Sequence, residues 1–353
     1  MEHHKKIRFA VVGFGHIGAR HAEEISRNPG AKLVAIADID STRLNVASDI
    51  YSSTKTYSNL EELLQQENEN IDIVNVCTPN GLHFPQAQDC LLANKHILVE
   101  KPLALRKSHC NELIKIAQQN EKKIFCVLQN RYSPPAQLLK NLIKNQSLGK
   151  IGWVEINCYW NRDERYYMPG SWRGTKELDG GPLYTQFSHF VDILYWLFGS
   201  LEIQNALFEN FNHPKIPHFE DTGTFSFRIN SGGAGVFSYS TMLWDKNMES
   251  TITIIGDKGT VKIGGQYMDK IEYFHVEDME KPDLAQSNPP NSYGNYQGSA
   301  ANHSFVIENI VRELNGEESD IAYAEDAAAS VEIIEQVYDL RQSIFHKLHI
   351  CNL

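Results

Sequence analysis

The stretch Val11-Val12-Gly13-Phe14-Gly15-His16-Ile17-Gly18 constrains the fold more than any other part of this chain. Its three glycines follow the apolar run Ile7–Val12 and open Ile17–Arg27, a segment of helical periodicity. Strand, glycine turn and helix in that order form the first turn of a dinucleotide-binding βαβ unit. Gly13 permits the tight turn, Gly15 lets the backbone approach a pyrophosphate, and Gly18 lets helix and strand pack closely. The helix start offers backbone N–H groups and a positive dipole end to phosphate. Asp38 ends the next strand, Leu33–Asp38, 20 residues beyond Gly18, where it can accept hydrogen bonds from ribose hydroxyls. Its carboxylate repels a 2′-phosphate and no arginine follows it immediately, so NAD is expected over NADP.

The alternation continues to about residue 130, with strands at Ile71–Cys77, His96–Glu100 and Lys123–Leu128 and helices at Asn59–Gln66, Pro85–Ala93 and Ser108–Asn120. This is the pattern of a doubly wound parallel sheet, a Rossmann domain over residues 1–130. A helix at Pro134–Gln146 leads into a second, β-rich part, residues 131–353. Strands are expected there at Ile151–Tyr159, Thr222–Arg228, Gly235–Thr241, Ser250–Ile255 and Thr260–Ile263, with one conspicuous helix at Thr185–Phe198. Glu280–Gly298 reads as an exposed loop, and Asn302–Asn315 and Ala324–Ser343 as closing helices. At 353 residues the chain suits two domains.

The net charge of −11 argues against nucleic-acid or anionic-membrane binding, and no apolar run reaches the ~20 residues of a bilayer span. Six scattered cysteines show no metal-like spacing, the 14 histidines include no HxxxH or HExxH pair, and His3-His4 lie near the terminus, so no metal is expected. The opening residues lack a signal-peptide pattern, and a cytoplasmic enzyme with reduced, buried thiols is the expectation.

Two segments fall where the carboxyl edge of a parallel sheet meets its ligand. Cys77-Thr78-Pro79-Asn80, with His83 shortly after, ends one strand, and Glu100-Lys101-Pro102 ends the next. A lysine placed there points into the ligand crevice. Cofactor contacts are expected from Gly13, Phe14, Gly15, His16, Ile17, Gly18, Asp38, Thr78, Pro79, Asn80, His83, Glu100, Lys101 and Gln129.

These motifs, followed by Gly180-Gly181-Pro182-Leu183 and His189-x-x-Asp192, resemble the Gfo/Idh/MocA oxidoreductases over nearly the whole chain. The resemblance implies a second α/β domain with an open, mostly antiparallel sheet that binds a sugar. It also implies a homodimer or homotetramer through that sheet, with catalysis by Lys101 and His189. Leu128-Gln129-Asn130-Arg131-Tyr132, Tyr159–Asp163 and Tyr166–Gly174 further resemble the nucleotide-sugar branch, whose members oxidise C3 of UDP-N-acetylglucosaminuronic acid. One departure stands out. Thr185 occupies the place of an aspartate found four residues before the histidine in many members. Either Thr185 or Gln186 replaces it, or Lys101 carries more of the proton transfer.

Oxidising a secondary alcohol needs a base beside the hydroxyl. An unperturbed imidazole changes charge near neutrality, so His189 is read as the general acid/base, with Lys101 orienting the hydroxyl and stabilising the developing alkoxide. Glu100 is read as holding Lys101 in place. Asp192, one turn beyond His189, is expected to bond the histidine or the substrate. Substrate contacts are expected from Lys101, Arg131, Arg162, Arg165, Tyr167, Trp172, Arg173, Thr185, Gln186 and His189, since guanidinium forks suit carboxylate or pyrophosphate and aromatic faces suit sugar or uracil. Other readings remain open: a dehydrogenase of inositol or a free hexose, an NAD-dependent glycosidase, or a non-catalytic cofactor-binding sensor.

Overall fold

The computed structural model describes residues 5–213, 218–293 and 296–350, with side chains described as far as Arg341. His3-His4 and Cys351 lie outside the described residues. The chain divides into two compact units, residues 1–129 with 302–328 and residues 130–301 with 329–353. The first change of unit comes at residue 130. The return of 302–328 to the first unit is not contained in a linear division there.

In the first unit, strands β1 (Ile7–Val12), β2 (Ala31–Ala37), β3 (Lys55–Tyr57), β4 (Ile73–Val76), β5 (His96–Val99) and β6 (Ile124–Cys126) form a wholly parallel sheet in the order β3-β2-β1-β4-β5-β6. Unbroken apolar runs such as β4 are buried on both faces, because helices cover both sides of such a sheet. The helices are α1 (His16–Arg27), α2 (Ser41–Ile50), α3 (Leu60–Glu67), α4 (His83–Leu92) and α5 (Lys107–Gln119). The strand order reverses between β1 and β4, so a crevice opens where the Gly13 turn meets the Cys77–Asn80 turn.

In the second unit, α6 (Pro134–Lys144) precedes β7 (Ile151–Tyr159), α7 (Pro182–Thr185), α8 (Ser188–Phe198), β8 (Leu201–Glu209), β9 (Thr222–Ile229), β10 (Ala234–Ser240), β11 (Glu249–Gly256), β12 (Gly259–Gly264) and β13 (Lys270–Val276). The seven strands run in the order β13-β12-β11-β7-β10-β9-β8, and only the β7–β10 pair is parallel. One face is buried: Trp160, just past β7, and Tyr239 of β10 meet Phe187 and Phe190 at and beside the start of α8. The register places Trp153, Leu207, Ile255 and Tyr273 together on the opposite face, 41–56% exposed.

Two expectations are corrected here. The Thr185–Phe198 helix is two helices, because the N–H groups of Gln186 and Phe187 both turn back to the Pro182 carbonyl (2.9 and 3.0 Å) and close the first turn. The Glu280–Gly298 loop contains a short hairpin, β14 (Pro290–Ser292) with β15 (Gln297–Ala300), tied by Asn291 Nδ2 donating to the Ser299 carbonyl at 3.0 Å.

After the hairpin, α9 (His303–Leu314) rejoins the first unit, where a β-carbon on Gly30 would sit only 2.6 Å from Val311 Cγ1. Lys123 beside β6 pairs with Glu313 of α9. The last helix, α10 (Ala324–Ile350), begins in the first unit and continues into the second. Cys77, Cys90, Cys110, Cys126 and Cys158 are buried, and none forms a disulfide among the described residues. Among the described residues, no helix is long and apolar enough to cross a membrane.

Candidate active site

In the first unit the glycine turn has the geometry its spacing implies. Gly13 sits at φ +87°, and a β-carbon there would lie 2.8 Å from the Cys77 carbonyl oxygen. A β-carbon on Gly18 would lie 1.8 Å from the Gly13 carbonyl oxygen, so this glycine is required by close packing of helix and strand. Gly15 differs. The nearest atom to its hypothetical β-carbon is Arg43 Nη1 at 3.9 Å, so nothing inside the protein demands glycine there. What it leaves open is approach to the backbone at the N-terminus of α1, with His16 exposed and Ile17 half-buried at the first turn.

Asp38 is buried, and its carboxylate accepts the backbone N–H groups of Phe14 (2.6 Å) and Asp40 (2.8 Å). It therefore braces the turn as well as offering an acceptor to a ribose. Although no arginine follows it directly, α2 brings Arg43 Nη1 to 3.5 Å from the carboxylate.

The strand-end segments divide into ligand-facing and bracing groups. His83 is buried with Nδ1 2.7 Å from the Pro102 carbonyl and Nε2 2.8 Å from the Thr78 carbonyl. Both nitrogens are thereby engaged, and the ring ties the two turns together rather than presenting an atom to a cofactor. Thr78 Oγ1 donates to Gln86 Oε1 at 2.6 Å, and Pro79 and Asn80 complete the turn. Glu100 is also buried, facing His21 Nε2 (3.0 Å) and accepting the Lys101 N–H (3.2 Å). Lys101 follows it, half-buried, and its peptide bond to Pro102 is cis. Gln129 is buried with its side-chain oxygen lacking a protein partner among the described residues, an acceptor available to a ligand. The open approach at Gly15, the Asp38 acceptor and this oxygen fit a dinucleotide.

In the second unit, His189 lies buried in the first turn of α8. Asp192, one turn on, is held bidentately by Arg131, with Nε to Oδ2 at 2.9 Å and Nη2 to Oδ1 at 2.7 Å. Arg131 thus meets a carboxylate of its own chain. Thr185 donates its hydroxyl to Asp179, a buried carboxylate that also accepts the N–H groups of Gly174 (2.6 Å) and Gly181 (3.2 Å). Burial raises the Asp179 pKa. An aspartate thus returns to the neighbourhood of the Gly-Gly turn from outside the motif, six residues before Thr185. Gln186 is buried with both ends of its amide lacking a protein partner among the described residues.

The four expected arginines separate clearly. Arg165 is spent on a surface pair with Asp163 (2.6 Å) and Asp245 (3.3 Å). Arg162 and Arg173 make no salt bridge among the described residues. Instead the Arg162 guanidinium lies over Trp160 (4.8 Å), Tyr166 (5.1 Å) and Tyr296 (5.3 Å). Arg173 lies over Tyr166 (4.5 Å), Trp172 (5.0 Å) and Tyr296 (5.5 Å). Arg162 Nη1 reaches Asn247 Oδ1 at 3.1 Å, and Arg173 Nη2 donates to Tyr296 Oη at 2.7 Å. Burial lowers the Arg162 pKa. Tyr167 packs edge-on to Tyr166 (5.0 Å) and His213 (5.2 Å). Asp179, His213 and Tyr296 escaped sequence reading, since none stands in a motif.

Residues 7–128 match the family model described as an oxidoreductase family, NAD-binding Rossmann fold, and residues 140–343 match its C-terminal alpha/beta domain. The chain belongs to the Gfo/Idh/MocA oxidoreductase family. Among solved structures it is similar to the WlbA dehydrogenase of Chromobacterium violaceum in complex with NADH and UDP-GlcNAcA. The two are 30% identical, with a TM-score of 0.84, over 96% of this chain and 94% of that one. The WlbA dehydrogenase of Bordetella pertussis, in complex with the same two ligands, is also 30% identical, with a TM-score of 0.84 over 96% and 97% of the two chains. The myo-inositol 2-dehydrogenase of Thermotoga maritima is 31% identical over 144 residues, 41% of this chain and 42% of that protein. The chain spans about half the length of the curated relatives it matches. In this Gfo/Idh/MocA chain Glu100–Pro102 follows β5, His189 lies in α8, and Thr185 hands its hydroxyl to Asp179.

Proposed function

We propose that this protein is an NAD-dependent dehydrogenase that oxidises a secondary hydroxyl, C3, of a UDP-linked N-acetylhexosaminuronic acid. The observation that carries the substrate reading is Arg162, a buried guanidinium over aromatic rings with no salt bridge among the described residues, with the half-buried Arg173, which feels the Asp179 carboxylate, over two of the same rings. Burying a cation without a counter-ion costs several kcal/mol, and cation–π contacts return about 0.5–2 kcal/mol each. An anionic ligand completes the balance. A uronate carboxylate or a diphosphate is such a ligand, and the tyrosine and tryptophan faces suit a sugar or uracil. An inositol or a neutral hexose leaves the Arg162 charge unanswered. Similarity to dehydrogenases solved with NADH and UDP-GlcNAcA supports the same reading.

In this reading NAD, when bound, supplies the hydride acceptor. The α1 N-terminus beside Gly15 would hold its phosphates, and Asp38 would accept from its ribose. His189 takes the hydroxyl proton as general base, and the Lys101 ammonium steadies the oxygen as negative charge develops. Gln186 offers an amide to the sugar. Asp179, reaching Thr185, supplies the carboxylate that the motif position lacks. The sheet face bearing Trp153, Leu207, Ile255 and Tyr273 is proposed as the contact between subunits of a homodimer or homotetramer.

The test is turnover with NAD and a panel of UDP-N-acetylglucosaminuronic acid, UDP-N-acetylglucosamine, myo-inositol and glucose, following NADH absorbance with 2-oxoglutarate present or absent. The uronate is expected to be preferred at least about tenfold over its neutral counterpart, and Arg173→Met is expected to erase that preference. Equal or better turnover of the neutral sugars refutes the substrate assignment.

A further inference from the structure

Beneath the strand end that carries Lys101 lies a buried charge with no part in the hydride-transfer chemistry. Glu100 is 6% exposed, and its carboxylate meets rings from two helices: His21 Nε2 of α1 at 3.0 Å and His303 Nε2 of α9 at 3.4 Å. Both histidines are 1% exposed, and their rings stand edge to face at 5.4 Å. The Cys77 thiol, the His83 ring and Lys101 also feel this charge.

The hydrogen-bond chain assigns the protons. Asn75 Nδ2 lies 2.9 Å from His21 Nδ1. An amide nitrogen only donates, so Nδ1 accepts and the proton of a neutral imidazole sits on Nε2, aimed at Glu100. Burial, which lowers the His21 pKa, favours that neutral form. Burial pushes Glu100 upward, yet contacts from His21 and His303 outweigh it and hold the carboxyl well below its usual range. The other carboxylate oxygen accepts the Lys101 backbone N–H at 3.2 Å.

We propose that His21 and His303 are positioning residues for Lys101. They keep Glu100 ionised and fixed, and Glu100 fixes the backbone from which the lysine side chain leaves the sheet. This rests on the reading of Lys101 as the polarising group. The contribution of α9 explains why a C-terminal segment returns to the first unit: it delivers His303 to the strand end. Nothing in the spacing of residues 21, 100 and 303 signals the cluster, whose three ligand-type atoms lie within 4.8 Å of one another.

The experiment compares the full-length protein with His21→Leu, His21→Gln, His303→Asn and Lys101→Met, by three readouts. These are amide hydrogen exchange at Lys101 without ligands, NAD affinity by calorimetry, and kcat and KM for the sugar. His21→Leu is expected to speed Lys101 exchange and lower kcat, each by about tenfold or more, with NAD affinity within about twofold of wild type. His21→Gln, whose amide N–H can replace Nε2–H, is expected to restore most of both. His303→Asn is expected to lower kcat about threefold, and supplies the comparison should His21→Leu fail to fold.

Equal behaviour of His21→Leu and His21→Gln overturns the proposal, since donation to Glu100 then does not matter. A kcat loss matched by an equal loss of NAD binding overturns it as well. So does one equivalent of Zn²⁺ bound by wild type and lost on His21→Leu, which makes the cluster a metal site. Lys101→Met separates this inference from the reading beneath it. If that variant is fully active, both fall. If it is inactive while His21→Leu turns over like wild type, only the positioning role falls.

Discussion

Gly15→Ala and Gly18→Ala are the same chemical change three residues apart, and they are expected to fail in opposite ways. At Gly18 the added carbon would lie 1.8 Å from the Gly13 carbonyl oxygen and 2.9 Å from its carbon. Gly13 cannot move away easily, because its N–H is bonded to the Ala37 carbonyl at 2.8 Å. Helix α1 must therefore lift from the sheet by roughly an ångström, an overpacking that costs about 3 kcal/mol. For a unit of this size that lowers Tm by roughly 6–12 °C. At Gly15 the backbone is at φ −75°, and the nearest atom to an added carbon is 3.9 Å away. Stability is expected to change by no more than about 0.5 kcal/mol. The methyl instead occupies the approach of the pyrophosphate to the helix start, weakening NAD by about 30-fold, or roughly 2 kcal/mol. Thermal melts with and without NAD, together with calorimetric titration, separate the two. At NAD concentrations near 100 times its Kd, wild type gains about 2.7 kcal/mol of stability, and Gly15→Ala should lose most of that gain. Wild-type NAD affinity in Gly15→Ala, or an unchanged Tm in Gly18→Ala, refutes the reasoning.

Asp38→Ala is expected to lower Tm as well as weaken NAD, because the Phe14 and Asp40 N–H groups lose their acceptor; calorimetry should also show a narrower preference over NADP, which Arg43→Ala widens again. The Glu313 pKa is held down to about 2, as hydrogen bonds led by that from Lys123 outweigh burial. With the folded value below the unfolded ~4.3, this stabilisation is complete above about pH 5 and fades as pH falls toward 2. Lys123→Met should therefore cost about 0.5–1 kcal/mol in denaturant titrations at pH 7, a modest figure because the ammonium is 42% exposed, and the difference should close in acid. Trp153→Glu is expected to convert the proposed oligomer to monomers in sedimentation with the Tm of each unit retained, whereas a wild-type monomer contradicts the proposed use of that sheet face.

Much of the first unit is legible in the sequence, because unbroken apolar strands and amphipathic helices leave strong periodic signals. Even there α2 leaves little signal: its apolar residues form no stripe, and it starts where the Asp40 side chain accepts the Thr42 N–H at 2.9 Å. The edge strands β8 and β13 were equally quiet, since polar residues are tolerated where one face meets solvent. The motif residues were found because glycine spacing and Glu-Lys-Pro are local. What was missed is non-local. His83 and Glu100 stood beside cofactor-facing residues in sequence, yet both are buried in bracing networks. Asp179 reaches Thr185 from outside the motif, and Arg131 and Arg165, which looked available for substrate, are held by Asp192 and by Asp163 with Asp245. Only three-dimensional contact distinguishes a guanidinium spent on its own chain from one that awaits a ligand.

The central claim is that this fold transfers a hydride from a uronate hydroxyl to NAD with the help of Lys101 and His189. Its most direct measurement is single-turnover NADH formation from NAD and UDP-N-acetylglucosaminuronic acid, in wild type and in the Lys101→Ala and His189→Ala proteins, each shown to bind NAD. The account predicts NADH in wild type and a rate at least ~100-fold lower in each variant. Wild-type rates in both variants, or no NADH from wild type, would contradict it.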